Sequence, residues 1–501
     1  MLPARLAKAS LLLVFFVTGC SLVPAFRRPA TPDPAHWNTA SATPLADTVP
    51  VESGWWHAYG DSALDALVER CLADNFSLSA AVATVDAARA NAQRAGAILY
   101  PALTLNGTFQ RGQSTSSSSS SNSSSSNSTQ SLFAQASYEV DFWGLNRANA
   151  EAAKMLARAS EFDRDTVALT LTASVADTYF QVQSLRRRVA LAQTVADDAH
   201  RLLTLVLAQQ AAGVATELQV QQQRNAMATF DAAIPILQQQ LDYNVHLLAT
   251  LVGAAPEQFS LPEVSLDRIA IPQARSGLPA ALLETRPDIK AQEARLKAAN
   301  FSIGAARAAF FPNFLLTADG GFGSQSLSNF LANPLGAIAA SLGAPLFEGG
   351  ALTGQLNLSQ AALAQAVAGY RQTVVAAFQD VEDSLSTAAD ERRAEAADED
   401  AADAASKAAL LARAQYASGT VDFLTVLDTE RVRYQAEDAL VQARLARLQA
   451  SVSLFRAFGG GYGATDVDPN RDAARGDAHD THTTNMAAGA PSRLFKETLA
   501  Q

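Results

Sequence analysis

Four segments of the chain alternate apolar and polar positions with a period of two, the pattern of a strand with two different faces. In the first, Leu103, Leu105, Gly107 and Phe109 oppose Thr104, Asn106, Thr108 and Gln110. In the second, Leu132, Ala134, Ala136, Tyr138, Val140 and Phe142 oppose Gln135, Ser137, Glu139 and Asp141. In the third, Phe314, Leu316, Ala318, Gly320 and Phe322 oppose Thr317, Asp319 and Gly321, and in the fourth Ile338, Ala340, Leu342, Ala344 and Leu346 oppose Ser341, Gly343 and Pro345. Each pattern covers about 10–12 residues, near the length a tilted strand needs to cross a bilayer. Apolar-out, polar-in alternation is the mark of a membrane barrel with a wet lumen. Four strands cannot enclose a lumen, because about eight are the minimum. The remaining strands must then come from other copies of the chain. Between the first two strands, residues 113–131 are almost pure Ser, Asn and Thr, which predicts a long polar loop. Ser324 to Asn333 predicts a shorter one.

The rest of the pattern is helical. From about Asn146 to Ala212 there is no proline, and a run of that length approaches 100 Å at about 1.5 Å per residue. A second such run goes from about Ala351 to Ala417, with Leu363, Val367, Tyr370, Val374, Phe378, Val381 and Leu385 at a helical period. That period averages about 3.6–3.7 residues per turn, which imposes little left-handed supercoil. Shorter helices, about Thr216–Gly253 and Val421–Phe458, return antiparallel. Three landmarks recur in the same order with an offset of about 205–211 residues. Ala97-Ile-Leu-Tyr-Pro101 matches Ala308-Ala-Phe-Phe-Pro312, Phe142-Trp-Gly144 matches Phe347-Glu-Gly349, and Ala212-Gly-Val214 matches Ser418-Gly-Thr420. Each half therefore reads helix, strand, strand, long helix, turn, helix.

Composition narrows the class. The 501 residues are 48% hydrophobic and 17% charged, yet no apolar run reaches the roughly 18–20 residues of a spanning helix. The net charge of −11 argues against a nucleic-acid partner. Two cysteines and six histidines leave little room for a disulfide framework or a metal site, and no histidine spacing suggests zinc. Cys71 falls in a helical pattern and reads as a buried free thiol. No catalytic constellation or phosphate-binding glycine loop stands out, so neither an enzyme nor a cofactor is expected. Asp380 to Asp403 is rich in acids, including Glu391, Glu395, Asp398 and Asp403, and is expected to form a solvated helix face or an acidic wall along an aqueous channel.

The N-terminus reads as an export signal. Arg5 and Lys8 precede the apolar core Leu11–Val17, which is too short to span a bilayer. Val17-Thr-Gly-Cys20 resembles a bacterial lipobox. The resemblance implies a diacylglycerol on the thiol of Cys20, which becomes the mature N-terminus, and Ser21 after it favours the outer membrane. Residues 21–54, rich in Pro, Ala and Thr, read as an extended tether.

Further phrases resemble one family. Thr285-Arg-Pro-Asp-Ile289, with Glu293, Ile303-Gly304 and Phe311-Pro312, is similar to the hallmark stretch of TolC-like outer membrane efflux proteins. The run from Trp56 to Leu64, and Tyr416-Ala-Ser-Gly419 with Leu424, Leu427-Asp428 and Arg431, resemble the start of their first helix and their periplasmic tip. With the lipobox, the chain is most similar to the lipoprotein branch serving resistance-nodulation-division (RND) pumps. The resemblance implies an α+β membrane protein: a homotrimer with a 12-stranded outer-membrane β-barrel, four strands per chain, continued by a long α-helical barrel. It also implies a periplasmic adaptor (membrane fusion) protein and an inner-membrane RND pump as partners, in an efflux system. Its members keep the tip shut with tyrosine, aspartate and arginine residues. On that match Asp428 and Arg431, three apart on one helical face, are expected to close a gate with Tyr416, and Asp422 to join a cation-attracting ring. The aligned first-half positions, Gln210, Thr216, Gln222 and Asn225, are uncharged. Pro287 and Asp288 suit the first turn of a helix, a structural use.

The expected organisation is a signal peptide (1–19), a lipidated tether (20–54), a first repeat (55–253, hairpin 102–142), a linker (254–284), a second repeat (285–460, hairpin 313–347) and a disordered tail (461–501). The function expected is a passive outer membrane duct for small molecules. A duct for type I protein secretion, or an envelope lipoprotein without a pore, are the alternatives. Drugs, solvents and metal ions all remain open as cargo.

Overall fold

A computed structural model describes residues 22–32, 37, 48–49, 51, 53–118, 121–274, 282–324, 327–332 and 334–462. The signal segment with Cys20, and the tail from residue 463, lie outside the described residues.

The second half repeats the first from its 22-residue helix onward. In the first, a short helix α1 (Ser62–Asp74) leads into α2 (Phe76–Ala97), strands β1 (Ala102–Ser118) and β2 (Ser121–Val140), the long helix α3 (Leu145–Ala211) and its return α4 (Glu217–Leu251). In the second, α5 (Pro287–Ala308) leads into β3 (Asn313–Ser324), β4 (Pro334–Gly343), α6 (Ala351–Ala417) and α7 (Phe423–Ala457). Matching helices have equal lengths: 22 residues for α2 and α5, 67 for α3 and α6, 35 for α4 and α7. The punctuation sets these lengths. Pro101 and Pro312 stop the helices that enter the sheet, and glycines start and stop the long ones. Among the described residues, no helix is long and apolar enough to cross a membrane.

The four strands form one antiparallel sheet in the order β1-β2-β3-β4. Its register sorts the two faces. One face carries the row Leu103, Ala136, Ala318, Ile338 and the row Tyr138, Leu316, Ala340. The other carries Thr104, Gln135, Asp319, Ala337, and next to it Ala102, Ser137, Thr317, Ala339. Opposed residues in an antiparallel pair point the same way, so alternation along each strand becomes a continuous apolar face across the sheet. The bases of the two hairpins lock together. The Trp143 indole donates to the Pro312 carbonyl at 2.8 Å and stacks on Phe311 at 4.6 Å between ring centroids.

Below the sheet the two repeats share a core. Trp55, Tyr59, Leu64, Tyr179, Phe180, Leu448 and Phe455 are buried in it, and Trp55 stacks on Phe455 at 5.3 Å. Two of its hydroxyls are paired: that of Tyr59 with Ser451 Oγ at 2.6 Å, and that of Tyr179 donating to Asp61 at 2.5 Å. Asp61 also caps α1. Arg286 ties the start of α5 to α6 through Asp380 (3.0 Å) and to the end of α7 through the Ala457 carbonyl (3.1 Å). Pro287 is the first residue of α5 and Asp288 lies in its first turn, as their residue types require.

Four expectations need correction. Residues 113–131 were expected as a loop, but the β1–β2 ladder runs on to Ser118 opposite Ser121. Backbone groups pair whatever the side chains, so a polar strand extends where no core is needed. β3 joins β2 only as far as Gln130 opposite Ser324, so the outer ladder is a two-stranded ribbon. The fourth strand ends at Gly343 rather than near residue 346, because Pro345 has no N–H to donate. The acidic run is not uniformly solvated. Glu395 is 7% exposed, with Arg444 Nη1 at 3.1 Å from one oxygen and Arg447 on the other.

The fourth concerns the tether, where residues 22–32 are fixed along α5. Asn300 donates to the Pro24 carbonyl at 2.8 Å, Lys297 lies over the Phe26 ring, and Arg28 reaches Glu293 at 2.7 Å and Glu284 at 3.1 Å. The five residue steps from Val23 to Arg28 span about 16 Å when extended, as do the eleven helical steps from Glu293 to Gly304. The segment is therefore stretched antiparallel to α5.

Candidate gate at the helical tips

Each helical hairpin turns on a left-handed glycine. Gly213 (φ 76°) closes α3 and Gly419 (φ 73°) closes α6. In both, the next residue donates back five positions: Val214 N to the Gln209 carbonyl and Thr420 N to the Gln415 carbonyl, each 2.9 Å. Reciprocal hydrogen bonds between Thr216 and Gln219 start α4. Asp422 starts α7, accepting from Thr425 N at 2.8 Å and Thr425 Oγ1 at 2.6 Å. These hydrogen bonds hold its carboxyl below the usual range.

The two tips touch through Tyr416. Its hydroxyl donates to Gln209 Oε1 at 2.9 Å, and its ring lies 5.7 Å from that of Phe423. Phe423 is buried with Val206 and Val220, a small apolar cluster shared by both hairpins. Asp428 and Arg431 pair with one another at 2.8 Å, and both side chains are about 60% exposed. Of the four candidate gate residues, then, Tyr416 joins hairpin to hairpin, Asp422 caps a helix, and Asp428 and Arg431 form a surface pair. Cys20 lies outside the described residues.

Sequence reasoning missed the partners. Gln209 is next to Gln210, the position aligned with Tyr416, so the repeat pointed to within one residue of it. A charged network above the tips was missed altogether. Arg413 Nη2 donates to Asp198 at 2.9 Å and its Nε lies 2.5 Å from Glu430. Arg433 lies 3.1 Å from Glu430, 3.1 Å from Glu437 and 3.5 Å from Asp198. Arg201 also pairs with Asp198. Beside this network lies a cavity of about 490 Å³, lined in part by Leu202, Leu205, Gln223, Phe230 and Leu427.

At the other end of the chain, the apolar face of the sheet is bare. Leu103, Leu105 and Phe109 are about 70–76% exposed and Ile338 is 90% exposed. A patch of this kind marks a surface that meets lipid or another chain.

The family model for outer membrane efflux proteins matches residues 67–254 and 278–460. The chain belongs to that family. It is 38% identical over 448 residues to the pyoverdine export outer membrane protein OpmQ of Pseudomonas aeruginosa, covering 88% of this chain and 94% of the relative. It is 32% identical over 470 residues to the toluene efflux pump outer membrane protein TtgC of Pseudomonas putida, covering 92% and 96%. The solved outer-membrane channel OprN superimposes with a TM-score of 0.82 at 28% identity, covering 89% of this chain and all of that one. The fold is that of the TolC-like trimeric channels, in which each chain supplies four strands to a shared barrel above a helical one. The protein is the outer membrane channel component of an efflux system, and its helical part extends into the periplasm. The family is one of transport channels that work with a pump.

Proposed function

We propose that the chain forms the passive exit duct of an RND-type tripartite pump and that its tips close the duct when no partner is docked. A periplasmic adaptor protein couples the tips to the inner-membrane pump. A diacylglycerol on Cys20 adds a lipid anchor to the barrel in the outer membrane. Relatives named for pyoverdine and for toluene differ widely in the polarity of what they export. A duct that accommodates both has little need to recognise cargo, so small molecules are selected by the pump.

The observation that carries the gate reading is the Tyr416–Gln209 hydrogen bond between the two hairpins. It is a single neutral contact at the end of two 67-residue helices, where a small change moves the tip a long way. Asp428 and Arg431 are exposed on one face of α7, free to meet the same residues of neighbouring copies around the axis. Asp422 holds the start of α7, and so the height at which that face sits.

Single-channel recording in planar bilayers tests this. Wild type is expected to show small, brief openings. Tyr416→Phe, and the pair Asp428→Ala with Arg431→Ala, are expected to raise conductance. Unchanged conductance and closed-state lifetime in both would remove the gate assignment. Mass spectrometry of the mature N-terminus tests the anchor: Cys20→Ser is expected to lose the lipid mass, and an unmodified wild-type Cys20 would refute it.

A further inference from the structure

The cavity of about 490 Å³ between the two helical hairpins has the build of a ligand site. Its volume falls within the range of about 300–1,000 Å³ that small-molecule sites occupy. Both hairpins contribute to it. Leu202 and Leu205 of α3, Phe230 of α4 and Leu427 of α7 supply its apolar wall. Phe230 is fixed there by an edge-to-face contact with Tyr434, 5.7 Å between ring centroids. Leu205, about half exposed, leaves the space open to water on its side.

The polar groups on the wall already have partners, with one exception. Asp198 pairs with Arg201 and Arg413, Glu430 pairs with Arg413, and Tyr416 donates to Gln209. Asp198 and Glu430 against Arg201 and Arg413 leave the wall without net charge. The exception is Gln223 of α4, which is 1% exposed. Its Nε2 donates to the Ala199 carbonyl of α3 at 2.7 Å, which sets the orientation of the amide, and its Oε1 has no partner. A buried acceptor without a donor is costly, and a molecule in the adjoining cavity can supply the donor.

These features define the occupant. A charged molecule would give up its hydration and find no counter-charge left to pair with. Water needs two to four polar partners, and most of this wall is apolar. An uncharged ring system carrying one N–H or O–H satisfies both the wall and Gln223.

We propose that this cavity is a binding site for small uncharged aromatic molecules with an N–H or O–H donor, oriented by Gln223 Oε1. The occupant touches both hairpins, so binding favours the arrangement in which they lie together. The site needs only the hairpins of a single chain, and it stands whether or not the tips close the duct.

The test is calorimetric titration of the full-length trimer in detergent with two probes, indole and benzofuran. Benzofuran has the shape of indole with oxygen in place of the N–H. Wild type is expected to bind indole about fivefold more tightly than benzofuran, the worth of one neutral hydrogen bond. Gln223→Leu should bring the two probes to equal affinity while keeping benzofuran bound. Ala226, half-buried on the same wall, tests the space itself. Ala226→Phe puts a ring into the cavity and should abolish binding of both probes. Partition into detergent is common to all variants and cancels in the comparison. If Gln223→Leu does not assemble, the probe pair on wild type and Ala226→Phe still decide. No binding to wild type, or unchanged binding to Ala226→Phe, would overturn the site. Equal affinity of wild type for indole and benzofuran would overturn the role of Gln223.

Discussion

Asp177 lies on α3 beside Ala176 and Tyr179 of the shared core, and one of its carboxyl oxygens is buried without a hydrogen-bond partner. Burial pushes its carboxyl up to about 7 against the opposing pull of Arg456. The folded state thus holds this proton more tightly than the unfolded chain, whose aspartates titrate near about 3.9. The stabilisation is complete below about 4 and is lost as pH rises through 7. Melting temperature should therefore fall between pH 5 and pH 8 by more in wild type than in Asp177→Asn; equal pH dependence would contradict the assignment. Other single residues show where sequence reading stopped. Tyr416 was legible as a tip residue, but its partner Gln209 is 207 positions away and depends on how two long hairpins align. Glu395 reads like every other acid in its run. Only the approach of Arg444 and Arg447 from α7 makes it a core residue.

At the scale of elements, helices were the most legible. Their ends coincide with Pro101, Gly144, Gly213, Pro312, Gly350 and Gly419, and their interiors hold a helical period over many turns. The strands within the bilayer were legible from alternation. The Ser-rich ribbon beyond them was not, since its pairing comes from the backbone and leaves no hydrophobic signal. The tether was opaque for a related reason. Its contacts are made by single residues against a helix far along the chain. Gly304 of α5 is its clearest mark, because a Cβ there would lie 2.4 Å from Val23 Cγ2. Gly304→Val should displace the segment at a cost of about 1–3 kcal/mol, typical of overpacking. Hydrogen exchange should then show residues 22–32 losing protection with α5 intact. Unchanged protection would mean that the seam tolerates the added bulk.

At the scale of the whole molecule, the decisive feature is a sheet with two open edges. Among the described residues β1 and β4 each pair on one side only, and the face they share is apolar and bare. Unpaired backbone groups in a bilayer cost several kcal/mol each, so such a sheet is stable in lipid only when other copies close it. Below it, helices of 67 residues carry the wall about 100 Å away from the membrane. Barrel and tunnel, and the gate proposed at the tips, are all properties of the closed assembly. The most direct measurement is the native mass of the protein extracted from membranes in mild detergent. The account predicts three chains per particle, with no stable single chain. A monomer that keeps its four-stranded sheet without lipid or detergent would contradict it.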